Sequence, residues 1–166
     1  LVMELGGSKT EGIFRLAANV DDVEYFRDKI KNGDYTSIDS SSNKPGNVTD
    51  ALVAADLLKS WLRKMEHPLV CGEGIYEQAV DSGKRNGSDA MKVLDNIPPA
   101  NKACVVHICK FLKKLAESGS VTKMEASNLA LVFAPNLLKN PSGDPMTFAI
   151  NSENEKRFVN SIINSC

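Results

Sequence analysis

Apolar residues recur every three or four positions through most of this chain, and this spacing decides its fold class. Two segments show it clearly, at Val20, Val23, Phe26 and Ile30 and at Leu58, Leu62 and Met65. Such spacing places apolar side chains on one face of an α-helix. No stretch alternates apolar and polar residues with β-branched enrichment, as a half-buried strand would. The sequence therefore predicts an all-α fold, a single-domain bundle of about seven to nine helices.

Proline and hydroxyl residues mark where helices begin and end. The Pro98-Pro99 pair predicts the start of a long helix, because a proline in the first turn loses no hydrogen bond. Pro135 predicts that another helix ends or kinks near Ala134, because proline has no amide to donate. Capping boxes, in which a hydroxyl and a carboxylate satisfy free amides, predict two more helix starts at Thr122 with Glu125 and at Ser152 with Glu155.

Length and charge limit the class of protein. The 166 residues are enough for one domain. Twenty Lys and Arg against 21 Asp and Glu give a net charge of -1 and a pI near 6.2, which argues against a nucleic-acid-binding protein. No apolar run approaches the roughly 18 residues of a membrane span, so membrane insertion is not expected. The four cysteines are too irregularly spaced for a disulfide framework, so we expect reduced thiols and a cytoplasmic location. We also expect a monomer.

Both ends of the sequence look like interior positions of a longer chain. Residues 1–5 form the end of an amphipathic pattern with no helix-start signal before it, and Cys166 closely follows Ile162 and Ile163. We therefore interpret residues 1–166 as a single domain of a longer chain. Any recruitment to membranes is expected to depend on regions outside it.

Two motifs that resemble catalytic or metal sites do not fit their chemistry. Gly7-Ser8-Lys9-Thr10 lacks the glycine that directly precedes lysine in a phosphate-binding loop, and no strand leads into it. Cys104 and Cys109 lie about 140° apart around a helix, so they cannot bind one zinc ion together with His107. His107 is interpreted as a packed core histidine. The sequence predicts no metal, no cofactor of its own and no self-contained nucleophile.

Arg15 is a candidate functional residue because of its position. It lies between a glycine-containing loop and a helix that begins near Asn19. Ile13 and Phe14 are apolar enough to anchor this segment in the core, which would leave the Arg15 side chain projecting from a fixed base. A surface arginine that only caps a neighbouring element is the alternative interpretation.

Lys59 and Arg63 form a second candidate feature. They are four residues apart, so they share one face of a helix, centred roughly 120–140° from its apolar stripe. A solvated face with one local ion pair to Asp56 is the alternative.

Asn136 is the third candidate, because it follows Pro135 at a predicted helix break. Its amide is able to donate and accept hydrogen bonds at once. The alternative is an asparagine that satisfies carbonyls at its own helix end, which is compatible with a contact to a partner.

These three features lie in stretches that together resemble the RhoGAP domain. The stretches are Glu11-Gly12-Ile13-Phe14-Arg15, Leu57-Leu58-Lys59-Ser60-Trp61-Leu62-Arg63, Pro68-Leu69-Val70 and Ser127-Asn128-Leu129-Ala130-Leu131-Val132-Phe133-Ala134-Pro135-Asn136-Leu137-Leu138. They occur in the order and approximate spacing of that family. The resemblance runs from about Leu5 to the C-terminus.

The resemblance implies an all-helical domain that activates GTP hydrolysis by Rho-type or Rac-type small GTPases in their GTP-bound state. Carried over by position, Arg15 would be the arginine finger, the catalytic residue supplied to the GTPase. The partner-binding residues would be Lys59, Arg63, Asn136, Pro68 and Leu69. The GTP and Mg²⁺ would belong to the partner.

The sequence departs from the family pattern in places. Residues 65–69 read Met-Glu-His-Pro-Leu where the family usually has Leu-Pro-Glu-Pro-Leu, and the family's opening helix is mostly absent. Two other functions stay open. One is a catalytically silent GTPase-binding or scaffold module of the same fold, against which Arg15 argues. The other is a lipid- or protein-docking domain that uses Lys110, Lys113 and Lys114, although these residues fit a solvated helix end better.

Overall fold

The computed structural model describes residues 1–36, 48–141 and 145–166. Within these ranges the chain is helical and contains no strand, so the predicted all-α class is confirmed. A 3₁₀ helix at Gly7–Lys9 is followed by α1 (Val20–Lys31), α2 (Ala51–Lys64), α3 (Ile75–Lys84), α4 (Ala90–Leu94), α5 (Pro99–Ala116), α6 (Gly119–Thr122), α7 (Ala126–Leu137) and α8 (Pro145–Ser165). None of the helices in these ranges is long and apolar enough to span a bilayer.

The core lies where α8 packs against α3 and α7, with α5 behind them. The largest fully buried side chains of these helices are apolar, at Leu112, Leu115, Leu129, Phe133, Leu137 and Phe158. Helix α3 approaches α8 so closely that a Cβ added at Gly83 would lie 2.0 Å from the Asn154 carbonyl oxygen. This part of the bundle therefore depends on a residue without a side chain.

The helix boundaries confirm one sequence signal and correct two. Helix α5 begins at Pro99, as the proline pair predicts. The two capping boxes are wrong. Thr122 is the last residue of α6, where its hydroxyl donates to the Ser118 carbonyl, and α7 begins only at Ala126. Ser152 lies inside α8, where its hydroxyl donates to the Ala149 carbonyl.

Cys104, His107 and Cys109, which the sequence analysis rejects as a zinc site, all lie on α5. Cys104 is exposed and Cys109 is buried, in agreement with their predicted positions on different faces of α5. His107 is exposed, so its interpretation as a packed core histidine is wrong. Among the described residues, no group of three or more His, Cys, Asp or Glu could hold a metal ion.

A buried hydrogen-bond network joins α3 to α8. The Tyr76 hydroxyl donates to Glu155 Oε1 at 2.6 Å and accepts from Asn151 Nδ2 at 3.3 Å. Glu155 is only 2% exposed, and burial raises the pKa of its carboxyl, while the bond from Tyr76 lowers that pKa in part. Burial, followed by the hydrogen bond to Glu155, raises the pKa of Tyr76 to about 12. The Glu155 carboxylate is thus bonded to Tyr76 of α3 and does not cap a helix start at Ser152.

Replacing Tyr76 with phenylalanine is expected to lower the free energy of unfolding by about 1–3 kcal/mol near neutral pH, because ionised Glu155 loses its buried donor. The loss should shrink as the pH falls through the raised pKa of Glu155, since protonation favours the folded state for a carboxyl whose folded pKa is raised. Urea unfolding at about pH 7.5 and about pH 5 measures both effects. The exposed Tyr35→Phe is the control, and an equal loss at the two pH values would contradict the ionisation argument.

Candidate functional site

Residues 12–16 form a tight turn that presents Arg15. The Gly12 amide donates to the Thr122 carbonyl at 2.7 Å, and the amides of Arg15 and Leu16 both donate to the Gly12 carbonyl at 2.8 Å. Gly12 has a φ of +69°, and a Cβ there would lie 2.7 Å from Leu16 Cγ. The turn therefore requires glycine at this position.

Two buried side chains anchor this turn. Ile13 is fully buried and Phe14 is 1% exposed, and the Phe14 ring packs edge-on against Phe111 and Phe133, with centroids 6.0 and 5.0 Å away. Phe14 has a φ of +67°, a strained conformation for a residue with a side chain. The prediction that Ile13 and Phe14 anchor the segment is confirmed, and the surrounding core holds the strained backbone in place.

Arg15 follows this anchor and is exposed. Its guanidinium lies over the turn, with Nη2 3.5 Å from the point that a Gly12 Cβ would occupy. Within the part of the chain that the structure describes, the guanidinium makes no ion pair. A cation is thus exposed at the surface, and no carboxylate of the described residues is paired with it.

Lys59 lies beneath the turn and not on a solvated face. It is 8% exposed, and its Nζ donates to the Phe14 carbonyl oxygen at 2.6 Å. The same Nζ forms an ion pair with Asp56 Oδ1 at 2.6 Å, which confirms the predicted local pair. The predicted solvated face is wrong for Lys59, because the turn, 45 residues away in sequence, covers this side of α2.

Asp56 makes a second contact with the same segment. Its Oδ2 accepts a hydrogen bond from the Ala18 amide at 2.8 Å. The Asp56–Lys59 pair therefore bonds to the backbone on both sides of Arg15. Sequence reasoning missed the bond to Ala18, since an Asp three residues before a Lys on a helix indicates only a local ion pair.

Arg63 lies one turn after Lys59 on α2 and is exposed. It forms no ion pair with any of the residues described. Of the two cations predicted to share a face, Arg63 is thus the one available to a partner.

Asn136 binds a carbonyl of its own helix, which confirms the alternative interpretation of this residue. Helix α7 continues through Pro135 to Leu137, so it does not end at Ala134, since one missing amide close to the terminus does not break the helix; the alternative, a kink there, stays a prediction. Asn136 is 4% exposed, and its Nδ2 donates to the Val132 carbonyl of its own helix at 2.6 Å. Its Oδ1 is buried and has no hydrogen-bond partner among the described residues. A contact between Asn136 and a partner stays a prediction.

The segment that contains Pro68 and Leu69 is tied to two helices. The Leu69 carbonyl accepts from Asn101 Nδ2 on α5 at 3.0 Å, and the Val70 amide donates to the Leu137 carbonyl of α7 at 3.0 Å. Pro68 is half-buried, whereas Leu69 is 3% exposed and belongs to the core. Pro68 is therefore the accessible member of the pair, and partner contact by either residue stays a prediction. No sequence pattern indicates that Asn101 holds this segment.

Comparison with known proteins decides the family. The RhoGAP domain family model matches residues 2–142. This chain belongs to the RhoGAP domain family. It is 33% identical over 163 residues to Rho GTPase-activating protein gacY of Dictyostelium discoideum, covering 95% of this chain and 21% of that protein. It is 32% identical over 148 residues to Rho GTPase-activating protein 24 of Mus musculus, covering 85% of this chain and 19% of that protein.

This RhoGAP domain therefore spans about a fifth of the length of those relatives. Its fold is similar to the crystal structure of human Rho GTPase activating protein 15, with a TM-score of 0.81 and 20% sequence identity. That match covers 98% of this chain and 76% of the other. The predicted resemblance to the family is confirmed.

In this RhoGAP domain, the candidate site is built where the Arg15 turn, α2, the Pro68 segment and the end of α7 meet. Phe133 of α7 packs against Phe14, one helical turn before Asn136. Lys139, just after α7, donates to the Met65 carbonyl at the end of α2 at 2.7 Å. Together with the bond from the Val70 amide to the Leu137 carbonyl, these two contacts connect the segments that carry the candidate residues.

Proposed function

We propose that this domain binds GTP-bound Rho-type small GTPases and accelerates their hydrolysis of GTP, with Arg15 as an arginine finger. The observation that carries the proposal is an exposed guanidinium on a turn whose preceding residues are buried. Family membership supports it, and so do relatives named as Rho GTPase-activating proteins. The domain supplies a residue to the partner's reaction and performs no hydrolysis by itself.

The chemistry favours arginine at this position. In GTP hydrolysis, water attacks the γ-phosphate, and negative charge spreads over the transferring phosphoryl group and the leaving oxygen. A guanidinium is planar, always charged and able to donate two parallel hydrogen bonds to phosphate oxygens. An arginine finger typically increases kcat by roughly 10³–10⁵-fold, which corresponds to about 4–7 kcal/mol of transition-state stabilisation.

The turn reduces the cost of placing that guanidinium. Phe14 is fixed by its ring contacts and by the Lys59 bond to its carbonyl, so the backbone before Arg15 is ordered before any partner binds. Only the Arg15 side chain then has to move from its position over Gly12 into the partner's nucleotide site. An electrostatic group that is ordered in advance contributes more to the rate than one ordered during the reaction.

The surrounding residues divide into two roles. Arg63 and Pro68 are accessible and would contact the switch regions of the GTPase. Lys59, Leu69 and Asn136 are buried and would act by supporting the surface from inside. Because the whole chain is nearly neutral, the electrostatic attraction of an acidic partner surface would come from local cations such as Arg63.

Arg63→Ala is expected to weaken binding to a GTP-bound partner by about 3- to 10-fold, because it removes an exposed cation of the proposed interface. Titration against a Rho-type GTPase loaded with a non-hydrolysable GTP analogue measures the affinity, and the loss should diminish at high salt. Lys92→Ala, an exposed lysine on α4, is the control. Unchanged affinity of Arg63→Ala at low salt would show that Arg63 does not contact the partner.

A single-turnover assay tests the proposed function. A panel of Rho-type GTPases is loaded with GTP, and hydrolysis is followed with and without this domain, with a Ras-type GTPase as the comparison. Faster hydrolysis by at least one Rho-type member is the expected result. Binding without acceleration would identify the domain as a catalytically silent GTPase-binding module, and no binding to any member would reject both functions.

A further inference from the structure

The carboxylate of Asp56 joins two parts of the site that are distant in sequence. Oδ1 pairs with Lys59 Nζ at 2.6 Å, and that Nζ donates to the Phe14 carbonyl, also at 2.6 Å. Oδ2 accepts from the Ala18 amide at 2.8 Å. The backbone on both sides of Arg15 is therefore held by one carboxylate and its paired ammonium.

The residues between these two bonds are held mainly by the turn itself, through the bonds from the Arg15 and Leu16 amides to the Gly12 carbonyl. Arg15, Leu16 and Ala17 are all exposed, and α1 begins only at Val20. Phe14 fixes where this segment leaves the core. The bond from Ala18 to Asp56 fixes where it returns to α2. Without that bond, the backbone after Arg15 would keep only the packing of Ala18 against the core and of α1 against α2 to hold it near α2.

Both carboxylate oxygens of Asp56 are already occupied, and its side chain is largely buried. Here Lys59 neutralises the carboxylate, and the guanidinium makes no ion pair with any residue that the structure describes. The arrangement therefore fixes the backbone and leaves the Arg15 side chain available.

We propose that Asp56 is a positioning residue for Arg15: it sets the path of residues 15–18 by binding the Ala18 amide and by orienting Lys59 toward the Phe14 carbonyl. This inference rests on the proposed role of Arg15 as an arginine finger. Because both of its carboxylate oxygens are bonded within the domain, Asp56 is not expected to contact the partner or its nucleotide. Its effect is therefore expected in the rate of the catalysed step and not in affinity.

Asp56→Ala is expected to lower the single-turnover kcat of stimulated hydrolysis by at least about fivefold and up to about 100-fold, because small displacements of a catalytic group are costly. Affinity for the partner loaded with a non-hydrolysable GTP analogue should stay within about twofold. Asp56→Asn keeps an acceptor for Ala18 and should recover at least half of the lost rate. Asp81→Ala, which removes an exposed pair with Lys84 at the same helical spacing, should change neither quantity.

The same variants in an Arg15→Ala background separate positioning from a general effect on the fold. If Asp56 acts through Arg15, Asp56→Ala lowers the residual rate no further there. A loss below about fivefold in the wild-type background, no recovery by Asp56→Asn, or an undiminished effect without Arg15 would each overturn the proposal. Full stimulation by Arg15→Ala alone would instead reject the finger role itself, so the two failures are distinguishable.

Amide hydrogen exchange of the wild-type domain gives a test that needs no variant to fold. The Ala18 amide is bonded to Asp56, whereas the Ala17 amide forms no hydrogen bond within the described parts of the chain. Ala18 should therefore exchange more slowly than Ala17. Equal exchange rates would show that the bond is not maintained in solution and would overturn the proposal.

Discussion

Arg15→Ala is expected to lower the stimulated rate of GTP hydrolysis by roughly 10³–10⁵-fold, the full contribution of an arginine finger. Affinity for the GTP-bound partner should change much less, because the guanidinium acts on charge that develops in the transition state. The fold should be unaffected, since the exposed side chain makes no ion pair among the described residues. Single-turnover hydrolysis and thermal unfolding of the same preparation measure these effects.

Arg15→Lys tests whether a positive charge alone is enough to stimulate GTP hydrolysis. Lysine keeps the positive charge but presents a compact ammonium in place of a planar fork, so its rate should remain within about tenfold of that of Arg15→Ala. Lys9→Ala, an exposed cation just before the turn, should behave as wild type. Stimulation that survived Arg15→Ala would reject the role of Arg15 as an arginine finger.

The Arg15 turn could be predicted from sequence because its determinants are local. A glycine, two apolar residues and an arginine follow one another, and each does what its chemistry favours: Gly12 adopts a positive φ, Ile13 and Phe14 are buried, and Arg15 is exposed. The positive φ of Phe14 could not be predicted in this way. It depends on Phe133 and Lys59, which come from helices far along the chain.

The role of Lys59 could not be predicted from its own helix. Helical periodicity correctly separates Lys59 from the apolar stripe, but it does not show what covers the polar face. Here the Arg15 turn covers it, so a cation that looks solvated is buried against a carbonyl oxygen. Arg63, one turn later, lies beyond that cover and is exposed, as the same pattern predicts.

The capping boxes failed because a local motif competes with tertiary contacts. Glu155 has the spacing to cap a helix start at Ser152, but Tyr76 binds its carboxylate and buries it. Helix α8 then continues past Ser152 without a break. The family resemblance predicted the fold more reliably than these local signals, because it rests on several motifs that occur in the right order and spacing.

The close packing of α3 on α8 depends on a glycine that sequence patterns gave no reason to single out. Gly83 lies inside α3, where glycine is unfavourable by about 1 kcal/mol relative to alanine. Its presence is explained by the Asn154 carbonyl, 2.0 Å from the point that a Cβ would occupy. The obstacle is backbone, so it cannot move aside as the end of a flexible side chain would.

Gly83→Ala is therefore expected to lower the free energy of unfolding by about 3 kcal/mol or more, at the upper end of the cost of overpacking and well beyond the gain in helix propensity. Urea or thermal unfolding measures the loss. The control is Gly119→Ala, where the added Cβ would lie 3.1 Å from Glu125 Cγ and 3.4 Å from the nearest backbone atom, so the cost should be smaller than at Gly83. Separation of α3 from α8 would also lengthen the Tyr76–Glu155 hydrogen bond, so Tyr76→Phe should cost less in the Gly83→Ala background. A Gly83→Ala domain as stable as wild type would show that the two helices do not approach this closely in solution.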